Sequence, residues 1–316
     1  MQCGKREKMK NYLAVDVGGT AIKYAVMDEN ADISISGETV TPTTSLDDFI
    51  QALMQIYESV EYTNPEALVI SAPGRIDSST GYFHTGGALG YLNCVNLPKA
   101  LRNHIPLPIC VLNDAKAAAL AELWKGSMED VNSGLILTLG TGIGGAVIID
   151  GKLWQGHNFA AGEFSGIPVH WDTRTGGYTG TWANINCTRS MIDRYCAAKN
   201  QNPDNMNGKQ FFQAIHDGDR LAMNELEWFC ETLATGLLGL QLILDVEKIA
   251  IGGGISRQPL LIETLNEVMD RQYERKASCI PATRPIVEAC RFSSDANLIG
   301  ALRHYLLQKE EDTVSS

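Results

Sequence analysis

"LTLGTGIGGAVIIDG", running from Leu137 to Gly151, decides how this chain folds, because its glycines suit two incompatible structures. Gly140, Gly142 and Gly145 satisfy G-x-G-x-x-G, the spacing of a dinucleotide-binding turn, yet the same residues can cradle a triphosphate. A dinucleotide turn must open an α-helix, whose N-terminal amides hold the pyrophosphate, and needs an acidic residue about 20 positions further on. Here the glycines run into "AVIIDG", which is β-branched and closes on Asp150-Gly151. That pattern is a second strand. A Walker-type G-x-x-x-x-G-K-[ST] loop occurs nowhere in the chain.

An earlier stretch has the same form. Slid forward by 122 residues, Leu13–Asp28 lies without a gap on Leu135–Asp150. In the first copy Tyr12–Val17 is a strand, Gly18 and Gly19 turn, and Ala21–Met27 is the returning strand. Few residues are identical in the overlay, and Gly18 on Gly140 is its one glycine match, but most apolar positions coincide and each copy reads as strand, glycine turn, strand, which predicts two similar domains. Amides left unpaired at each turn can point at phosphate oxygens, and glycine admits the ligand without side-chain clash. Each turn alone reads equally well as a plain hairpin. Their company argues for phosphate: Asp16 precedes one turn, Thr20 and Lys23 follow it, Thr141 lies in the other, and Gly252-Gly253-Gly254 forms a third cluster.

The remaining pattern is α/β. Ser45 caps a helix over Leu46–Val60 whose apolar face is Leu46, Phe49, Ile50, Leu53, Met54 and Tyr57. Ala67–Ser71 and Ile109–Leu112 read as covered strands. Asn113-Asp114 opens an alanine-rich helix, Ala115–Lys125, that Gly126 ends, and a new unit begins near Gly134. A long helix over Leu221–Leu244, a strand over Lys248–Ile251 and a terminal helix over Ala296–Leu307 complete the reading, with "KEEDTVSS" as a solvated, frayed tail.

The chain has 316 residues, 44% of them apolar, enough for two cores. With 26 basic against 37 acidic side chains the net charge is −11, which disfavours nucleic acid and anionic membrane as partners. The apolar run behind the basic N-terminal residues is too short for a signal peptide or a membrane span, so the expected location is the cytoplasm. Eight cysteines (Cys3, Cys94, Cys110, Cys187, Cys196, Cys230, Cys279 and Cys290) contain no C-x-x-C pair and read as reduced thiols.

"LAVDVGGTAIK", "ISAPGRID", "NDAKAAALAE", "LTLGTGIGGAVI", "AAGEF" and "IAIGGGIS" occur in the order and at the spacings of the ROK family of sugar kinases and regulators, which the chain resembles over nearly its whole length. The resemblance implies two ribonuclease-H-like α/β domains of the actin-like ATPase type with an interdomain active-site cleft. The expected division is a small N-terminal domain, 1–118, joined by the C-terminal helix 296–312, and a larger domain, 119–295. The resemblance also implies ATP and Mg²⁺ as cofactor and metal, a sugar as acceptor, and a homodimer.

Asp114 is the candidate base. Asp at the start of a helix is also a favourable N-cap worth about 1 kcal/mol, and both roles can hold together. A sugar hydroxyl attacking the γ-phosphate needs a base in hydrogen-bond reach, though phosphoryl transfer depends more on positioning and charge neutralisation. By resemblance Asp114 is that base and Asn113 binds neighbouring hydroxyls. Asp16, a carboxylate at the end of a buried strand, suits Mg²⁺, held directly or through water. Gly18, Gly19 and Thr20, with Thr141, Gly142 and Gly144, are the phosphate loops by resemblance, and Gly253 and Gly254 sit against the adenosine. Lys23 assists a phosphate or is simply a surface lysine on a strand.

The sugar side departs from the family. Zinc-containing members carry Gly-His after A-G-E-[IF] and a C-x-C-G-x-x-G-C-x-E loop. Here "AGEF" continues with Ser165-Gly166, and "TRTGGYTGTWANINCTRS" has no cysteine before Cys187. His157 and His170 read as surface or core histidines, so no zinc site is expected. In zinc-containing glucokinases of the family that His and the loop's terminal Glu also grip the sugar near its anomeric end. The Glu position falls near Ala183, and Glu163 alone is retained. A pocket that keeps its O6 end and loses its C1 grip can accept a glycoside. The segment "SAPGRIDSSTGYFHTGGALGYLNCVNL" also resembles bacterial β-glucoside kinases, with Gly74, Gly87 and Ala88 lining the sugar. The expectation is phosphorylation of the 6-hydroxyl of a glucose unit in a β-glucoside such as cellobiose. A glucokinase or an N-acetylhexosamine (N-acetylmannosamine) kinase is the alternative. A non-catalytic sugar-sensing regulator is disfavoured, because only about eleven residues precede the first strand and no DNA-binding domain fits there.

Overall fold

The computed structural model describes residues 10–172, 177–276 and 281–315. In chain order the first elements are β1 (Asn11–Val17), β2 (Ala21–Met27), β3 (Ile33–Val40), α1 (Leu46–Val60), β4 (Pro65–Ala72), β5 (Ile76–Asp77), β6 (Tyr82–Phe83), β7 (Val95–Asn96), α2 (Leu97–Leu101), β8 (Ile109–Asn113) and α3 (Asp114–Lys125). There follow β9 (Gly134–Leu139), β10 (Ile143–Ile149), β11 (Lys152–Trp154), β12 (Pro168–Trp171), β13 (Tyr178–Thr181), α4 (Trp182–Asn186), α5 (Thr188–Ala198), α6 (Gly208–His216) and α7 (Arg220–Leu244). The chain closes with β14 (Lys248–Gly252), α8 (Pro259–Lys276), β15 (Ile286–Ala289) and α9 (Ala296–Ser315).

The chain divides into two compact units: residues to Trp124 with His157–Phe159 and those from Ser294 form the first, and Lys125–Gly156 with Ala160–Ser293 the second. The first is built on a sheet of order β3-β2-β1-β4-β8, the second on β11-β10-β9-β14-β15. Each has two antiparallel pairings followed by two parallel ones. The repeat read from the sequence is therefore a repeat of topology. One detail differs. Val17 pairs with Ile22, leaving Gly18–Ala21 to make the first turn, whereas Leu139 pairs with Ile143, so Gly140–Gly142 turn one residue more tightly.

In the first unit α1 begins where Ser45 Oγ accepts from Asp48 N, and buries Phe49, Ile50, Leu53, Ile56, Tyr57 and Val60 against one sheet face. On the other face α9 packs Leu298, Ala301 and Leu302 against Tyr12, Ala14, Val69 and Cys110. α3 lies in this unit up to Trp124. It packs closely on α9: a Cβ on Gly300 would stand 1.6 Å from Ala117 O. In the second unit α5, α7 and α8 bury Met191, Phe229, Leu233, Leu237, Leu265 and Met269 against Leu135, Leu137, Ile249 and Ile251.

The C-terminal tail corrects its expectation. α9 continues to Ser315 instead of ending near Leu307, with Arg303 and Glu310 paired two turns apart and Thr313 Oγ1 donating to Lys309 O within the extra turns. No helix among the described residues is long and apolar enough to cross a membrane.

Candidate active site

In the first unit Gly18 N donates to Ala21 O (3.0 Å), and Thr41 clips the turn from beside, through Oγ1 to Gly18 O (2.7 Å) and through N to Thr20 O (3.0 Å). The N–H groups of Gly19 and Thr20 donate to no group among the described residues, and both residues are exposed. A pair of unpaired amides at a glycine turn is a concavity for an anion.

Asp16 stands at the end of β1 beside this turn. Its Oδ1 accepts from Ser71 Oγ of β4 (3.0 Å) and from Asn297 Nδ2 of α9 (2.9 Å). Both bonds fall on one oxygen, so Oδ2 is left for a ligand. Burial pushes the carboxyl above its usual range, against the opposing pull of the Asn297 and Ser71 bonds and of the Lys23 ammonium. Lys23 faces Asp16 across the β1–β2 pair, which makes it a charge partner of the carboxylate. Ser71 and Asn297 escaped the sequence reading, since no local spacing connects positions 55 and 281 residues away from Asp16.

The sugar candidates of this unit cluster around the β8–α3 junction. Asn113 is 6% exposed and fully engaged: Oδ1 accepts from Lys116 N (3.2 Å), while Nδ2 donates to Gly74 O (2.9 Å) and Asp114 Oδ1 (3.0 Å). Asn113, not Asp114, is thus the side chain that caps α3. Asp114 is the first helical residue, and its Oδ1 also accepts from Ala115 N (2.8 Å). That position places a carboxylate at the positive end of the helix. The hydrogen bonds make Asn113 a residue that holds Asp114 and Gly74 in place.

Gly74 has φ +108, and a Cβ there would meet Thr85 O at 2.1 Å, so no other residue fits this loop crossing. Gly87 lies against Gly74 and Pro73, and Ala88 Cβ is the nearest atom to where a Cβ on Gly19 would be, 3.9 Å away. The first glycine turn and the Gly87-Ala88 corner are therefore neighbours.

In the second unit Gly140 N donates to Gly142 O (3.1 Å), and Thr188 N, at the start of α5, donates to Gly140 O (2.9 Å). Thr141 and Gly142 keep amides that are unpaired among the described residues, as Gly19 and Thr20 do. Gly140, Thr141, Thr188, Ile192, Gly254 and Gln258 line a cavity of 580 Å³. Its mixture of apolar walls and few polar groups suits a nucleoside. Gly253 has φ +94 and lies under the turn, where a Cβ would meet Leu139 O at 2.2 Å; Gly254 opens onto the cavity with nothing within 4 Å. Gly144 falls inside β10 opposite Thr138, past the turn.

Glu163 is exposed, just ahead of a short 3₁₀ turn at Phe164–Gly166. Ser165, at the first position after AGEF, binds the backbone of Ile143 twice, accepting from its N (2.9 Å) and donating to its O (3.0 Å). It braces the second glycine turn, a role the sequence did not signal. Ala183 is half-buried in α4, and His157 and His170 are exposed. Residues 173–176 of the expected sugar loop, with Cys3 and Cys279, lie outside the described residues. The other six cysteines are free thiols, and burial pushes Cys110 and Cys230 up to about 12. Among the described residues no three His, Cys, Asp or Glu side chains are grouped to hold a metal ion.

The family model of the ROK family matches residues 12–309. The chain belongs to the ROK family. A protein named β-glucoside kinase from Listeria monocytogenes is 30% identical over 94% of this chain and 97% of its own, and a glucokinase from Halalkalibacterium halodurans is 26% identical over 96% of each. The solved structure of a ROK family protein from Streptococcus pneumoniae in complex with sucrose superposes with a TM-score of 0.84 at 28% identity, covering 95% of this chain and 99% of the other. The two-sheet architecture of this ROK protein is thus the actin-like ATPase fold of its relatives.

Proposed function

We propose that this ROK protein transfers the γ-phosphoryl group of ATP to the 6-hydroxyl of a glucose unit, the non-reducing unit of a β-glucoside such as cellobiose, with Asp114 as general base. The chain is an ATP-dependent sugar kinase by class; the proposal concerns its acceptor, its base and its metal. The observation that carries the proposal is the Asn113–Asp114 arrangement, a half-exposed carboxylate locked at the start of α3 by an amide that is itself fully bonded. A base so fixed keeps its geometry as the proton arrives from the sugar oxygen.

The other residues take roles suited to their surroundings. The amides of Gly19 and Thr20 and those of Thr141 and Gly142 are phosphate ligands, and Gly254 and Gln258 border the nucleoside. Asp16 suits Mg²⁺: it offers one uncommitted carboxylate oxygen, the hard donor this ion takes in small number while phosphate oxygens and water complete its shell. Bound there, Mg²⁺ would supply charge neutralisation for the transferring phosphoryl group. Lys23 holds Asp16 as its charge partner, and Gly74, Gly87 and Ala88 shape the acceptor wall.

For the acceptor, support comes from the lost grip at the C1 end, with Ala183 where a glutamate is expected, from the β-glucoside kinase at 30% identity, and from the disaccharide in the Streptococcus pneumoniae relative. The glucokinase at 26% identity supports glucose itself as the second reading. Asp114→Asn tests the base: kcat for ADP release should fall about a thousandfold. ATP binding, followed by calorimetry, should stay within about twofold of the parent. Undiminished turnover in Asp114→Asn would remove the base from the mechanism.

A further inference from the structure

Phe159 sits in the left-handed region at φ +58, where a bulky side chain persists only if its surroundings force it. The other described non-glycine residues with positive φ are Ala, Cys, Asn and Asp. Two contacts do the forcing. Lys116, 0% exposed on α3, donates its Nζ to Phe159 O at 2.6 Å, which ties this backbone to the helix that begins with Asp114. An ammonium taken wholly out of water is costly, so the bond to its partner carbonyl is strongly held. The Phe159 ring in turn pairs with His84, centroids 6.3 Å apart and planes 26° from parallel, and His84 meets Tyr82 edge-on at 5.2 Å.

His84 is anchored on the same wall. Its N donates to Arg75 O (2.8 Å), and its neighbour Thr85 lies with its carbonyl against Gly74, whose own carbonyl accepts from Asn113. Both rings are only half-buried. An aromatic residue strained in its backbone, tied through Lys116 to the helix that Asp114 starts and left partly open, is arranged for a ligand, since core packing needs neither the strain nor the exposure.

We propose that Phe159 and His84 form the platform for the second ring of the acceptor, the aglycone unit of a disaccharide β-glucoside. This rests on the acceptor reading above. A β-linked pyranose presents axial C–H bonds on its faces, slightly positive, that complement the negative face of an aromatic ring. Its equatorial hydroxyls stay in water at the rim. A lone glucose has no second ring to stack, so the platform acts on acceptor choice.

Phe159→Gly removes the ring and places at φ +58 the residue that adopts it freely, so the variant keeps its fold, with a thermal midpoint at or above the parent's. The ratio of kcat/KM for cellobiose to that for glucose should fall about tenfold in Phe159→Gly and about threefold in His84→Ala, and stay within about twofold in Phe159→Tyr. Calorimetric binding of cellobiose without nucleotide should weaken in parallel. An unchanged ratio in Phe159→Gly overturns the platform and leaves the acceptor reading standing. A parent enzyme that prefers no β-glucoside to glucose overturns both.

Discussion

At the end of β1 the first hairpin places Asp16, and 122 residues later the second places Thr138 at the matching position of β9. The strands around them follow the same order and the same pairing senses. What surrounds the two turns differs. The first is dense with charge and bonds: Lys23 across the ladder, Ser71 and Asn297 on the carboxylate, Thr41 on the turn. The second is open, with free space beside Gly140 and a 580 Å³ cavity lined by the turn and the starts of neighbouring helices. A duplicated scaffold supplies unpaired amides twice, and on the proposed function the side chains divide the work: charge handling in one unit, nucleoside recognition in the other.

The sharpest way to break this division is at the matched pair. Asp16→Ala should lower kcat at saturating Mg²⁺ about a hundredfold or more. Thr138→Val, the equivalent change in the second unit, should alter it less than about threefold. Equal losses would mean that the two turns are interchangeable.

pH separates the units further. His304 of α9 is buried in the first unit beside Gln308 and Ser78, and burial pushes its pKa down to about 4. The folded state holds it neutral while the unfolded chain protonates near 6.5, so the unfolded chain binds more protons between these values. Stability from this site is therefore full at neutral pH, declines as pH falls through 6.5, and levels off below about 4. The loss is about 3 kcal/mol, read by urea unfolding at pH 7 and pH 4. His304→Gln should flatten that part of the dependence; an unaltered slope would contradict it.

The smallest contrast lies within one glycine cluster. Gly253→Ala forces a Cβ onto Leu139 O at positive φ and should cost about 2 kcal/mol. Gly254→Ala meets open space, so stability should change by less than about 0.5 kcal/mol while ATP affinity drops a few-fold.

Much of this was legible in the sequence where the signal was local. The hairpin strands, α1 with its Ser45 cap, α7 and the Gly252–Gly254 cluster follow from periodicity and turn chemistry. The gapless overlay of 122 residues found the repeat of topology, although it hid the one-residue difference between the turns, because register depends on pairing partners as well as on spacing. The cap of α3 was misassigned by one residue, since Asn and Asp are equally good caps and adjacent here. What could not be read was long-range: Asn297 on Asp16, Lys116 on Phe159, and Ser165 on the turn at Ile143. The tail of α9 looked frayed because its composition is polar throughout, yet helix continuation needs only backbone bonds, which a polar sequence forms as readily.

The most direct test of the central claim is the specificity constant for cellobiose measured beside that for glucose, with NMR fixing the carbon that carries the new phosphate. Cellobiose should be favoured about tenfold and phosphorylated at the 6-position of its non-reducing unit. A strong preference for glucose, or phosphate at any other carbon, would contradict it.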